Sequence, residues 1–588
     1  MESKGAWLNP GMIQPGKRFP LWLWLSLVVL TSSLTIRPLN AQVVTPPQPQ
    51  IRPQNILPIP STPLPSPTLP QPLPPPQDLL RPPQQSPPAE APPGSVPGTI
   101  TIQRFEVVGS TVFSPRKLAQ ILAPFTRRPI SFAELFQARD AVTKLYTDEG
   151  YITSGAYIPP QSLESGVVKI QVLEGRLEDI KVTGTRRLNP NYVRSRIAIA
   201  TSKPLNRNHL LEALQLLQLN PLIKNLSAEL SAGSRPGRSL LEVQVTEAKT
   251  FSAPITLDNG QLPTFGSFRR QVQLNEANLL GQGDGISAAY TNTDGSDTVD
   301  ANYTFPINPH NGTLNFSYIN TWDNVIEHPF NALDIIANAR YYELTLRQPL
   351  VQNPTQEFAL GLTGSRRESD SSFLRGLPFP ELGADARGRT RISALRFFQE
   401  WTKRNSREVI ALRSQFSLGV GALGVTINKA APDNRFFAWQ GQGQWVRLFA
   451  PDTLLLVRGA VQVASRPLVP LEQFGLGGLD SVRGYRQDLL LTDSGAFASA
   501  EFRVPVLRIS QNDVFQLTPF VDFGYGWNNV GRVTPTNTLA SVGLGLRWQV
   551  GDRFTARFDW GIPLVNVNVR KRTWQENGLY FSIIYNPF

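Results

Sequence analysis

Along the C-terminal half of the chain, apolar and polar positions alternate with period two, interrupted by turns rich in glycine, asparagine and aspartate. Between 514 and 527, Phe515, Leu517, Val521, Phe523, Tyr525 and Trp527 share one face, while Gln516, Thr518, Asp522, Gly524 and Gly526 share the other. Between 539 and 550, Ala540, Val542, Leu544, Leu546 and Trp548 oppose Ser541, Gly543, Gly545 and Arg547. Such alternation marks half-buried strands, so 495–506, 514–527, 539–550 and 554–564 are predicted to be consecutive hairpin strands. Turn signals at 281–285, Asp294-Gly295 and Asn311-Gly312 extend the pattern upstream, and no convincing amphipathic helix follows Thr250. One face suits lipid and the other a wet lumen. Membrane strands need only about 9 to 11 residues, so the region predicts a transmembrane β-barrel of about 16 antiparallel strands. A soluble sandwich or propeller would also alternate. The aromatic end, Phe588 after Leu579, Phe581, Ile583 and Tyr585, favours the barrel and reads as a terminal barrel signal, although Asn586-Pro587 shifts its phase.

The stretch before the barrel reads differently. Phe105 to Val108 suggests a strand, Ser114-Pro115 opens a helix reaching about Phe125, 132–148 is helical until Gly150, and 151–159 and 166–173 are extended. The order then recurs. Ile180-Lys181-Val182-Thr183-Gly184 resembles Phe105-Glu106-Val107-Val108-Gly109, with the two glycines 75 positions apart. Helices at 190–200 and 208–219 and strands at 226–232 and 240–247 complete a second α+β module.

Composition changes the picture mainly at the N-terminus. Lys17 and Arg18 precede the apolar run 21–30, and Ala41 is a small residue at a plausible cleavage point, so 1–41 reads as a secretory signal and the mature chain is expected to begin near Gln42. Of the 52 prolines, 21 fall between Gln42 and Gly98, a linker whose polyproline II preference would let it reach on the order of 170 Å. The expected division is therefore signal 1–41, proline-rich linker 42–98, modules 99–175 and 176–248, and barrel 249–588. Cysteine is absent, which excludes disulfides and thiolate metal sites, and no metal or cofactor is expected. The net charge of +12 is not accompanied by a zinc spacing, basic helix or compact Lys/Arg cluster, so it reads as lumen and surface charge and not as a nucleic-acid footprint.

One constellation carries candidate chemistry. The glycine-rich stretch Gly477-Gly478-Leu479-Asp480-Ser481-Val482-Arg483-Gly484-Tyr485 is predicted to be a loop with a single arginine, and about forty residues later Asp522 faces inward within Val521-Asp522-Phe523-Gly524. An arginine reaching into a barrel is costly unless it meets a carboxylate, so the two are a candidate lock. Two repeated modules, a C-terminal barrel, Val482-Arg483-Gly484-Tyr485 and Asp522-Phe523-Gly524 together resemble the transporters of two-partner secretion from about residue 102 to the end. The resemblance implies that the modules are periplasmic POTRA domains and the barrel lies in the outer membrane. It also implies that Arg483 sits at the tip of a loop folded into the lumen, with Asp522 and Gly524 on the wall. The strand Ala500-Glu501-Phe502-Arg503-Val504-Pro505 resembles the one following that loop, and Glu501 and Arg503 are expected to support the lock from the lumen side. A helix plugging the barrel would precede the first module, but here that position holds the proline tract with only a short candidate at 77–80.

The function implied is export of an unfolded partner protein, with outer-membrane lipid around the barrel and the barrel assembly machinery as a partner in biogenesis. The alternative is a factor that inserts other barrels, which belongs to the same superfamily. Two modules favour secretion. No phosphate loop is present, and the three histidines, His209, His310 and His328, are not near a G-x-S-x-G elbow, so no enzyme activity is expected.

Overall fold

The computed structural model describes residues 69–70, 74–81, 99–162, 166–201, 203–510, 512–530, 534, 536–567 and 572–588. The expected signal, and all but a few residues of the expected linker, lie outside the described residues.

In the first module Ser114 caps Pro115–Leu122 by accepting from the Lys117 N–H, and Ser131 and Glu134 form a reciprocal capping box at Phe132–Asp148. The two helices lay Leu118, Leu122, Ala138, Val142 and Tyr146 on Ile170 and Val172 of the sheet. That sheet has Val167–Leu173 at its centre, Arg104–Val108 parallel on one side and Gly155–Tyr157 antiparallel on the other. The second module repeats the plan: Arg238–Glu247 is central, with Arg176–Thr183 parallel and Ile223–Ala232 antiparallel. Helices Pro190–Ala200 and Arg207–Gln218 cover it through Val193, Ile197, Leu210, Leu214 and Leu217.

The second sheet has one strand more. A turn of helix, Pro76–Leu79, leads into Leu80–Arg81, which pairs parallel with Ala228 and Glu229 on the outer edge of Ile223–Ala232. Leu79 and Leu80 are buried in the module's apolar core. The short candidate at 77–80 is therefore helical over part of its length, but this piece of the proline tract is docked on the second module. Proline blocks a ladder on both flanks, and the two leucines supply the apolar area that docks this piece on the module.

The largest sheet has eighteen strand segments. Phe251–Ser252 and Ile255–Asp258 both pair with the next strand and form one interrupted strand, β1, and Leu377–Pro378 is a short return against its predecessor. Sixteen antiparallel strands result, closed by pairing of Ile255–Asp258 with Leu579–Tyr585. After β1 they are β2 (Arg269–Glu276), β3 (Gly285–Asn292), β4 (Ser296–Pro306), β5 (Thr313–Asn324), β6 (Ile336–Asn353), β7 (Gln356–Phe373), β8 (Arg389–Arg404), β9 (Glu408–Gly419), β10 (Phe437–Ala450), β11 (Thr453–Ala464), β12 (Ser494–Ser510), β13 (Asp513–Trp527), β14 (Thr538–Val550), β15 (Phe554–Pro563) and β16 (Leu579–Tyr585). Outward residues such as Leu344, Leu362, Leu412, Val521, Phe523, Leu544 and Trp560 are exposed apolar groups, as a lipid-facing band requires. Phe588 lies beside the closing seam with its ring 5.1 Å from that of Phe251.

The second module meets the barrel through short turns at one end. Arg187 pairs with Glu276 at 3.3 Å and donates to the Asn278 carbonyl, and Arg196 donates to Asn311 at 2.7 Å. Glu247 accepts from the N–H groups of Arg186, Arg187 and Leu188. Burial works to raise this carboxyl's pKa, but the three donors outweigh it and hold the pKa below the ordinary range.

Candidate functional site

Residues 465–493 connect β11 to β12 at the end of the barrel away from the modules and fold back inside it. The loop has its own scaffold, a hairpin of Phe474–Leu476 against Leu490–Thr492. Its base is fastened by Asp493, whose carboxylate accepts from the N–H groups of Leu468 and Asn529. Leu476, Val482, Tyr485 and Leu490 pack with Phe497 and Leu539 of the wall, so the loop carries part of the lumen's apolar core. Positive φ at Gly477, Gly478 and Gly484 turns the chain on either side of Arg483.

Arg483 is fully buried, and all its hydrogen-bonding edges are used. Its Nε and Nη2 donate to the two oxygens of Asp522 at 2.8 and 2.9 Å, and its backbone N–H reaches the same carboxylate at 3.1 Å. Nη1 donates to Glu501 at 2.8 Å. The planar guanidinium suits this forked geometry, and its carbon lies 3.4 Å from the centroid of the Phe520 ring. Ser499, opposite Asp522 in the β12–β13 ladder, donates to it at 2.6 Å. Arg503 reaches Glu501 at 2.9 Å, and Arg557 of β15 reaches the same residue at 2.8 Å. Asp559 lies 3.7 Å from Arg483, a charge contact longer than a hydrogen bond. Charges of both signs thus interlock, which offsets the desolvation that a lone buried arginine would suffer.

The motif's neighbours fix its place. Val482 lies against Gly524, where an added Cβ would come 2.9 Å from a Val482 methyl. The Gly484 N–H donates to the Tyr580 hydroxyl at 3.0 Å, and that hydroxyl in turn donates to the Tyr485 carbonyl. The Tyr485 hydroxyl reaches the carbonyls of Ala540 and Val565. At Gly561 a Cβ would stand 2.6 Å from the Gly484 nitrogen, so wall and loop backbones meet there with no room for a side chain. Further out, Arg486 pairs with Glu327 at 2.9 Å and Glu576 at 3.2 Å. Burial works to raise the Glu327 carboxyl's pKa, but Arg486, with the Thr264 hydroxyl and the Arg572 charge, brings it below the ordinary value.

The structure brings together Val482, Arg483, Gly484, Tyr485, Asp522, Gly524 and Glu501, with Arg503 one contact removed. Phe588 stands apart at the seam. Sequence reading missed Ser499, Phe520, Asp559, Gly561 and Tyr580. All five occupy inward positions of alternating strands, and that parity is the one signal that could have marked them.

The family model described as haemolysin secretion/activation protein ShlB/FhaC/HecB matches residues 237–548, and that of the ShlB-type POTRA domain matches 100–175. Outer membrane transporter CdiB of Dickeya dadantii (strain 3937) is 23% identical over 69% of this chain and 74% of its own length. The heme/hemopexin transporter protein HuxB of Haemophilus influenzae (strain 86-028NP) is 22% identical over 77% of this chain and 80% of its own. The solved structure of CdiB from Escherichia coli matches with a TM-score of 0.64 at 19% identity, covering 85% of this chain and 92% of that one. Secretion and not barrel insertion is thus the family activity. With its periplasmic modules, its outer-membrane barrel and a loop folded into the lumen, the chain belongs to the haemolysin secretion/activation family, the outer-membrane transporters of two-partner secretion.

Proposed function

We propose that the modules capture one unfolded partner protein in the periplasm, and that it passes through a lumen opened when residues 465–493 release Arg483 from Asp522. The observation that carries this reading is Arg483, fully buried on a loop in the lumen with its charge met, among the described residues, by wall carboxylates. Glu501, with Arg503 behind it, steadies the guanidinium, and Val482, Gly484, Tyr485 and Gly524 set its depth. Capture by strand addition is supported by the edge Gly155–Tyr157, which has no further strand among the described residues, with Tyr157 and Phe136 exposed on the same module. Phe588 serves as the signal read by the barrel assembly machinery, and the outward apolar band meets lipid. The reading assigns no chemical reaction to the barrel.

The test is secretion of a partner protein, sought first as a large exported protein in the reading frames beside this gene. Arg483→Ala and Asp522→Ala should each lower secretion while the barrel stays heat-modifiable, and the double variant should do no worse than the more severe single one, since either change removes the same contact. Removing 102–247 should abolish secretion and leave the barrel. Secretion at the parental level in Arg483→Ala, or losses in the double variant that simply add, would refute the lock.

A further inference from the structure

The same loop makes a second charge contact of opposite polarity on another stretch of wall. Glu472 ends the short turn Pro470–Glu472, on the limb of the loop that leads to the motif, and its side chain is only 6% exposed. Arg396 of β8 grips both its oxygens, Nη2 to Oε1 at 2.7 Å and Nη1 to Oε2 at 3.0 Å. Arg367 of β7 reaches Oε1 at 3.3 Å and the Leu471 carbonyl at 3.1 Å. The wall holds both arginines ready: Ser365 and Ser417 accept from Arg396, and Glu343 accepts from Arg367 at 3.0 Å.

Two features separate this contact from the motif's lock. First, it shares no charged partner with Arg483, whose carboxylates lie on β12, β13 and β15, beyond β9, β10 and β11 in the sheet. Second, Glu472 is the only carboxylate paired with Arg396 among the described residues, so departure of the loop leaves a buried cation in the wall without its counter-charge. Breaking one side of such a pair is strongly unfavourable.

We propose that Glu472 is a second, independent anchor: a positioning residue that ties one limb of the loop to β7 and β8 through Arg396 and Arg367, so that the lumen clears only when both anchors release. The proposal rests on the reading that residues 465–493 leave the lumen during transport. It predicts a loop whose opening becomes easier when either fastening is removed and easier still when both are.

The chain's lack of cysteine provides a direct test on the full-length protein in membranes. With Leu476→Cys as a reporter inside the loop, maleimide labelling rates and potassium chloride currents across planar bilayers are measured together, and heat-modifiability checks the fold. Glu472→Gln keeps the shape and removes the charge, and should speed labelling and raise the open fraction by about tenfold. Arg396→Gln, made from the wall side, should do the same, and the pair together should add nothing further. Glu472→Asp should return both readings to within about twofold of the parent, because the charge is kept. Glu472→Gln combined with Arg483→Ala should multiply the two single effects, since the sites share no partner. Unchanged labelling in both Glu472→Gln and Arg396→Gln would overturn the second anchor while Arg483→Ala still opens the loop. A combined variant no faster than Arg483→Ala alone would overturn its independence. If Arg483→Ala also labels at the parental rate, the loop does not leave and both readings fall.

Discussion

In two places this chain fills a site with its own backbone, and in only one of them do buried ion pairs join the apolar packing. Residues 465–493 occupy the barrel lumen and are held by buried ion pairs, with Arg483 on Asp522 and Glu501. Leu80–Arg81 occupies the outer edge of the second module's sheet, held by a two-residue parallel pairing and by Leu79 and Leu80 in the module's core. The lumen loop presents a charge whose attraction depends on one geometry, so once displaced it gains little from partial contact. The edge strand presents apolar area, which is non-directional and tolerates sliding. The first module sharpens the contrast, because its equivalent edge, Gly155–Tyr157, has no added strand among the described residues.

Removing charge from the lumen alone should have the largest effect. Asp522→Ala leaves Arg483 without its forked partner, a loss of roughly 3 to 5 kcal/mol in a dry site and less in a wet lumen. Faster proteolysis of residues 465–493 with unchanged hydrogen exchange in Ile223–Ala232 is the expected result. Next is Leu79→Ala, which should cost the second module about 2 to 3 kcal/mol by opening a cavity at a buried leucine. Hydrogen exchange should rise in Ile223–Ala232 and stay unchanged in the first module and the barrel. The two variants should add when combined, and any strong coupling would show that lumen and edge communicate. Gly561→Ala changes no charge yet pushes a Cβ toward the Gly484 nitrogen, so it should loosen the motif by about 1 to 3 kcal/mol. Loop proteolysis intermediate between parent and Asp522→Ala would show that close backbone approach, and not charge alone, holds the loop.

The smallest effect concerns pH. Burial raises the Glu247 carboxyl's pKa, the N–H groups of Leu188, Arg186 and Arg187 lower it, and the lowering prevails. Because the folded value lies below the unfolded one, its contribution is fully present above the unfolded carboxylate range and is lost as pH falls through the folded value. Protection of the 186–188 amides, relative to their intrinsic exchange rates, should therefore fall only once the pH drops below the ordinary carboxylate range, and Glu247→Gln should remove that pH dependence.

Strand positions in the barrel were legible because period two reports which face meets lipid, and the predicted 514–527 corresponds to the observed Asp513–Trp527. The module helices were legible from their caps, as at Ser114 and Ser131. The inward direction of Asp522 and Glu501 followed from the same parity. Tyr580 and Gly561 were not legible as partners of the motif, because their contacts with it span the chain from 484 to 580 and depend on how strongly the barrel curves. The docking of Leu79 and Leu80 was hidden for a related reason: two leucines among prolines carry too little pattern to announce a strand.

The local content of the sequence determined the α+β modules, their repetition, the alternating strands and a loop arginine in need of a carboxylate, since each depends on neighbours a few positions apart. Barrel closure, the path of residues 465–493 back through the lumen, and the meeting of Arg483 with Glu501 and of Glu472 with Arg396 were decided only in three dimensions. Parity states which face a residue occupies but not which of sixteen wall strands stands opposite a returning loop, and that follows from the register and curvature of the closed sheet.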